Sequence, residues 1–103
     1  MNTEQRATAW RISLAKSNVP EHNHSHLIDY LAYGQPCEDF LEAVLQNDLK
    51  MACIVADQIN RFTMWYTVEW LYNHAPITSW GSPGNYTTWI KERAAERAQQ
   101  AAT

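Results

Sequence analysis

Apolar residues recur every three or four positions along most of the chain, in segments separated by prolines, glycines and polar capping residues. This spacing is typical of amphipathic helices, in which one face packs on a core and the other meets water. No segment combines apolar–polar alternation with β-branched enrichment, so strands are not predicted. The pattern therefore indicates an all-helical chain.

Capping and breaking residues predict where the first helices begin and end. Thr3 can cap a first helix, and a second is expected from Pro20 to Tyr33. Gly34 should end the second helix, because glycine readily adopts the left-handed conformation of a C-terminal cap. Pro36 then opens a third helical segment.

The second half of the chain is punctuated in the same way. Asn47 can end the third helix, and Asp48 can cap a fourth. A fifth helix should cover about residues 59–74, and Ser82 followed by Pro83 starts a last one. In the fifth helix, the residues expected to face the core are Phe62, Trp65, Val68, Leu71 and Tyr72.

These segments predict a single all-α domain over residues 1–103, built as a compact, irregular bundle of five to six short helices. A chain of this length buries roughly two-thirds of its unfolded surface, which is enough for one modest core. Beyond Arg93 the sequence is mostly alanine with polar or charged residues. We therefore expect this end to be exposed and to fray after about residue 97.

The formal net charge is −3, and the acidic residues are concentrated in the middle of the chain. Residues 38–69 hold six acids against Lys50 and Arg61. A negative chain is a poor match for a phosphate backbone, so the charge argues against nucleic-acid binding. Solvated helix faces explain such a distribution, and contact with a basic partner is the alternative.

No segment approaches the roughly 20 apolar residues of a membrane span. The N-terminal residues lack the apolar region of a secretory signal. We therefore expect a soluble cytoplasmic protein that does not associate with membranes. The two cysteines, Cys37 and Cys53, are too few for a disulfide framework and are expected to be free thiols.

The sequence contains no glycine-rich phosphate loop, nucleophile elbow or zinc-protease motif, so we expect neither an enzyme nor a cofactor. Glu38 and Glu42 lie one helical turn apart, with Asp39 beside them. Paired carboxylates serve acid–base catalysis only when burial or a neighbour separates their pKa values. Since these acids lie opposite the apolar stripe of their helix, we take them as candidates for an outer, partner-facing surface.

Three histidines stand at alternate positions in "PEHNHSHLIDY". On a helix only His22 and His26 share a face, with Asp29 one turn further on, while His24 points elsewhere. His22, His26 and Asp29 are thus the weak candidates for a metal site. No fourth ligand is evident, and we favour a polar helix face without a metal.

Five tryptophans and five tyrosines are many for a small domain. We expect Trp10, Trp65 and Trp89 in the core. Tyr66 and Trp70, with Glu69 beside them, lie on the other side of their helix and are interface candidates, since aromatic residues make good interface anchors. These surplus aromatic residues also make a homodimer one alternative.

From about Tyr33 to Ile90, the chain resembles a group of small phage- and prophage-encoded proteins of unknown function. The resemblance is carried by "DFLEAVLQNDL", "LYNHAP" and "WGSP", which match in order and spacing. It covers rather more than half of the chain and leaves out the histidines and both ends. The resemblance implies a small accessory protein acting in the cytoplasm of a bacterial host, and it assigns no catalytic residues.

This setting suggests that the protein binds and blocks a host or defence protein, for example as an anti-CRISPR inhibitor. One alternative is a DNA-binding phage regulator, although its basic run of Lys91, Arg93 and Arg97 alternates with acids. Another is a sponge for a nucleotide immune signal, with an aromatic pocket between two subunits. The sequence alone leaves all three open.

Overall fold

A computed structural model describes residues 2–102 of the chain. This part of the chain forms six α-helices and two short 3₁₀ turns and contains no strand. The helices are α1 (Thr3–Ala15), α2 (His24–Tyr33), α3 (Asp39–Leu45), α4 (Leu49–Val55), α5 (Gln58–His74) and α6 (Pro83–Ala102). The 3₁₀ turns cover Glu21–Asn23 and Ile77–Ser79. The predicted all-α bundle is confirmed, and within residues 2–102 no helix has the length and apolarity that crossing a membrane requires.

Side-chain caps set the boundaries of the two central helices. The carboxylate of Asp48 accepts a hydrogen bond from the N–H of Met51 at 3.1 Å and so begins α4. Asp57 begins α5 in the same way, by accepting from the N–H of Asn60 at 2.7 Å. Asn47 has a left-handed backbone, with φ of 61°, which separates α3 from α4 as predicted.

Three predicted helix starts, those of α1, α2 and α3, differ from the structure. Asn2, not Thr3, caps α1, because its side chain and that of Gln5 bond each other's backbone N–H groups in a capping box. The helix predicted from Pro20 begins instead as the 3₁₀ turn Glu21–Asn23 and becomes α-helical only at His24.

The segment around Pro36 is extended, and α3 begins later than predicted, at Asp39. The N–H of Cys37 donates to the hydroxyl oxygen of Tyr86 at 3.0 Å, so this segment is bonded to α6 instead of to a helical turn of its own. Gly34 ends α2 with φ of 70°, as expected of a glycine cap.

The core is centred on α2, which packs against both α1 and α6, while α3 packs on α4. Tyr30 is fully buried, and its hydroxyl donates to the carbonyl of Ser79 at 2.6 Å. Its ring stacks on Tyr86 at a centroid distance of 5.2 Å, and the indole of Trp89 donates to the Tyr30 carbonyl at 3.2 Å. The predicted core position of Trp89 is therefore confirmed, and Tyr30 and Tyr86 are buried beside it.

The prediction for the core face of α5 is wrong. Leu71 is buried as expected, but the four other residues predicted to face inward are all exposed: Phe62, Trp65, Val68 and Tyr72. The buried residues are instead Asn60, Thr67, Trp70 and Leu71. The helix is held in this rotation by two tertiary hydrogen bonds. The Trp70 indole donates to Ser13 Oγ at 2.9 Å, and the Asn23 amide donates to Asn60 at 2.8 Å.

Candidate interaction surface

The outer face of α5 carries five exposed apolar side chains, which we call the α5 surface: Ile59, Phe62, Trp65, Val68 and Tyr72. Phe62 is 72% exposed, Trp65 58% and Tyr72 79%. The Trp65 ring lies against the ring of Tyr66, with centroids 4.0 Å apart. Side chains of this size are normally withdrawn from water, so this face is a candidate contact surface.

The short helix α4 presents a second exposed apolar set, which we call the α4 surface: Leu49, Met51 and Ile54. Leu49 is 67% exposed and Ile54 61%. Ala52 is the one residue of α4 that is buried, and Ile54 lies on the side of the helix opposite to it. The helix therefore touches its own core through a methyl group and directs its larger side chains outward.

The α5 surface alone exposes roughly 600 Å² of apolar side chain, at the upper end of the roughly 300–600 Å² of the largest patch on a typical monomer. The sequence pattern did not reveal this area, because α5 carries large apolar side chains on two opposite faces. The same pattern nevertheless contained a signal for an exposed apolar face. A helix with apolar residues on every side must either be fully enclosed or expose one apolar face.

The three interface candidates on α5 lie in different surroundings. Trp70 is only 3% exposed, and its indole is bonded to Ser13, so its predicted outer position is wrong and it cannot serve as a surface anchor. Glu69 is exposed and Tyr66 is half-buried. Both line an open cleft between α1 and α5, with Lys16 on its other side.

The acidic candidates separate into two groups. Glu38 and Asp39 are exposed and line a cleft of about 450 Å³ together with Asp57 and with Val55 at the end of α4. Glu42 is half-buried, and one of its carboxylate oxygens lies 3.4 Å from the hydroxyl of Tyr86. Glu38 and Asp39 thus lie at the end of the α4 surface, whereas Glu42 bonds inward.

Cys37 and Tyr86 form a buried polar contact with Glu42. Burial raises the pKa of the Cys37 thiol to about 12 and that of the Tyr86 phenol to about 12. At neutral pH both groups therefore keep their protons, and the thiol is a poor nucleophile. Cys53, by contrast, is exposed.

The histidines do not converge on one point. His22 and His26 line the cleft beside Glu38, as their helical phasing predicts, and His24 turns away so that its ring nitrogen lies 2.8 Å from the carbonyl of Val19. Asp29 lines a different cleft, with Arg97. Among residues 2–102, no three His, Cys, Asp or Glu side chains come together in a way that could hold a metal ion.

Comparison with protein-family models, with curated proteins and with solved structures found no match.

Proposed function

We propose that this protein is a small interaction protein that binds and blocks a host or defence protein in a bacterial cytoplasm. The observation that carries the proposal is the α4 surface, where Leu49, Met51 and Ile54 are exposed on a helix that its own core holds through Ala52. The resemblance to phage and prophage proteins supplies the setting. Inhibition of a CRISPR–Cas complex is one form that such blocking takes.

The charges beside the α4 surface define the chemistry of the partner. Val55 brings the end of α4 to the cleft that Glu38, Asp39 and Asp57 line. A complementary partner presents an apolar patch flanked by Lys and Arg side chains, because the apolar area supplies affinity and opposite charges supply orientation. A groove that normally holds nucleic acid has this kind of basic rim, so occupying it would block the partner.

The basic residues of α6 support a protein partner over the DNA-binding alternative. The guanidinium of Arg93 pairs with Glu96 at 3.0 Å and stacks over the ring of Trp89 at 4.0 Å. Arg6 lies 3.9 Å from the same Glu96 carboxylate. Arg93 and Arg6 are engaged within the fold, although Lys91 is exposed. Phosphate binding depends on several freely accessible cations, which this helix does not cluster.

The test compares capture by the native chain with capture by a variant of the α4 surface. Met51→Gln combined with Ile54→Gln removes apolar contact area at exposed helical positions and leaves the core unchanged. Tagged native protein and this variant are incubated with a lysate of bacterial cells, and the captured proteins are identified and quantified by mass spectrometry. We expect a basic protein that the native chain retains and the variant loses, with recovery of that protein falling as salt increases.

Ile77→Gln is the control, because Ile77 is an apolar residue that is more exposed than Met51 and Ile54 and lies far from α4 in sequence, in the 3₁₀ turn before α6. The control should capture as the native chain does. The candidate partner is then purified and its affinity for the native chain is measured directly. Identical capture by the native chain and the α4 variant would contradict the proposal.

A further inference from the structure

The outer face of α5 is left uncovered by the rest of the fold, although five of its exposed side chains are apolar. We propose that a second copy of this chain covers it, with the two α5 helices antiparallel about a two-fold axis that passes beside Trp65. This dimer interface uses α5, whereas partner binding is proposed for the α4 surface, whose Leu49 lines one pocket with Val68 of α5.

The area of the α5 surface is sufficient for such a dimer. Its five apolar side chains expose roughly 600 Å², as estimated from the size of aromatic and aliphatic side chains. The polar residues between them bring the total towards the about 800 Å² per subunit that a standard interface buries. Trp65 and Tyr72 are residue types that dominate binding energy at such interfaces.

The order of charges along α5 favours a second copy over an unrelated partner. In an antiparallel pair centred on Trp65, each residue faces the one that lies equally far on the other side of position 65. Arg61 therefore faces Glu69 of the second copy, and the same pair recurs on the opposite side of the axis. Among the apolar residues, Phe62 faces Val68. Tyr72 faces the polar Gln58, so the apolar match is confined to the centre of the helix.

Both charged side chains are available for these contacts. Arg61 and Glu69 are exposed, and neither has an ion-pair partner within residues 2–102. The guanidinium of Arg61 makes one long bond, of 3.4 Å, to the carbonyl of Ala56. A parallel pairing of the two helices would place Arg61 against Arg61 and Glu69 against Glu69, and this repulsion selects the antiparallel arrangement.

A dimer of this kind carries two copies of the α4 surface. If both engage one target or two neighbouring targets, the second contact forms at a high effective concentration and overall binding strengthens without any new contact. The dimer therefore complements the proposed blocking role without depending on it.

The experiment is a charge exchange across the predicted axis, with the mass and dissociation constant of the native full chain measured by sedimentation equilibrium. The native chain should have twice the mass of one subunit. Arg61→Glu alone and Glu69→Arg alone each replace two attractive pairs with two repulsive ones, so each should raise the dissociation constant about tenfold. The double exchange restores both attractive pairs and should return the dissociation constant close to the native value.

Two further variants complete the design. Trp65→Glu places two carboxylates at the axis and should yield a monomer with native circular dichroism, since Trp65 contributes little to the core. Glu92→Arg changes an exposed charge on α6 and should leave the dimer unchanged. A monomeric native chain, or a double exchange that is no tighter than the single variants, overturns the proposal.

Failure of this proposal is distinguishable from failure of the proposed function. The Met51→Gln and Ile54→Gln pair lies on α4, so it should abolish partner capture while the dimer mass remains that of the native chain. The Arg61→Glu variant should weaken the dimer while each subunit keeps its α4 surface.

Discussion

Gly34 lies where the end of α2 approaches α6, and the chain offers no room there for a side chain. A Cβ atom at this position would lie 2.5 Å from Cβ of Arg93, and φ is +70°. We expect Gly34→Ala to lower the free energy of unfolding by roughly 2–4 kcal/mol, because it adds a steric clash to an unfavourable backbone conformation. Urea denaturation monitored by tryptophan fluorescence measures this loss.

Gly81→Ala is the matched control for that change. Gly81 also has a positive φ, of 102°, but a Cβ atom there would meet nothing within 4 Å. The control therefore carries only the backbone cost, about 1 kcal/mol. Equal losses in the two variants would show that the approach of Arg93 does not constrain this site.

Local sequence was sufficient for residues whose role depends on near neighbours. Asn47, Asp48 and Ser82 occupy the capping positions expected of them, because a cap needs only the backbone of the next few residues. Trp65 and Trp70 were assigned to the opposite environments. The sequence of a helix does not show which of two large apolar side chains is buried. Here the distant residue Ser13 accepts a hydrogen bond from Trp70 and so fixes that side chain inside.

At the scale of the element, α5 carries a buried polar atom that the fold does not satisfy. Thr67 is fully buried, and within residues 2–102 its hydroxyl has no hydrogen-bond partner. Thr67→Val keeps the branched shape and removes the hydroxyl, so we expect it to raise the free energy of unfolding by about 1 kcal/mol. Urea denaturation of the native chain and of Thr67→Val at neutral pH measures the difference in their free energies of unfolding.

Thr63→Val tests whether the expected rise in the free energy of unfolding comes from removing the buried hydroxyl or from introducing valine into the helix. The Thr63 hydroxyl is partly exposed and already donates to the carbonyl of Ile59 at 2.7 Å. Its replacement should change stability by less than about 0.5 kcal/mol. A loss of stability in Thr67→Val would mean that the buried hydroxyl makes a stabilising contact after all.

The existence of α5 was predictable from its sequence, but its rotation was not. The predicted span, about residues 59–74, agrees with the observed Gln58–His74 to within one residue. An amphipathic pattern identifies the buried face only when the opposite face is polar. Here both faces carry large apolar side chains, and the buried face also carries the polar Asn60 and Thr67. The choice therefore depended on bonds to α1 and to the turn before α2.

At the scale of the whole molecule, the extended segment around Cys37 and the helices α2 and α6 meet at a buried set of ionisable groups. The pKa of Cys37 is raised from 9.0 to about 12 and that of Tyr86 from 10.0 to about 12, in both cases chiefly by burial. The contribution of these protonated groups to stability is complete at a pH below their pKa values in the unfolded chain. It is lost as the pH rises through their higher pKa values in the folded chain. We therefore expect the free energy of unfolding to fall between about pH 9 and pH 12.

Urea denaturation at several pH values across this window measures the slope. Tyr86→Phe removes one of three buried groups whose pKa is raised, the others being Cys37 and Tyr30, and should make the slope shallower. It also lowers stability at neutral pH, because it leaves the buried N–H of Cys37 without its acceptor. A native chain whose stability is constant from about pH 8 to pH 11 would contradict the assignment.

The sequence by itself determined the all-α class, the number of helices and most of their ends, because these follow from spacing and capping along a continuous stretch of backbone. Only the tertiary structure decided which face of α5 is buried, that α4 is held through Ala52, and that Trp70 lies inside while Trp65 lies outside. These outcomes depend on contacts between residues far apart in the chain. The surface that we propose for partner binding could therefore be identified only from the structure, which shows which apolar residues the core buries and which it leaves exposed.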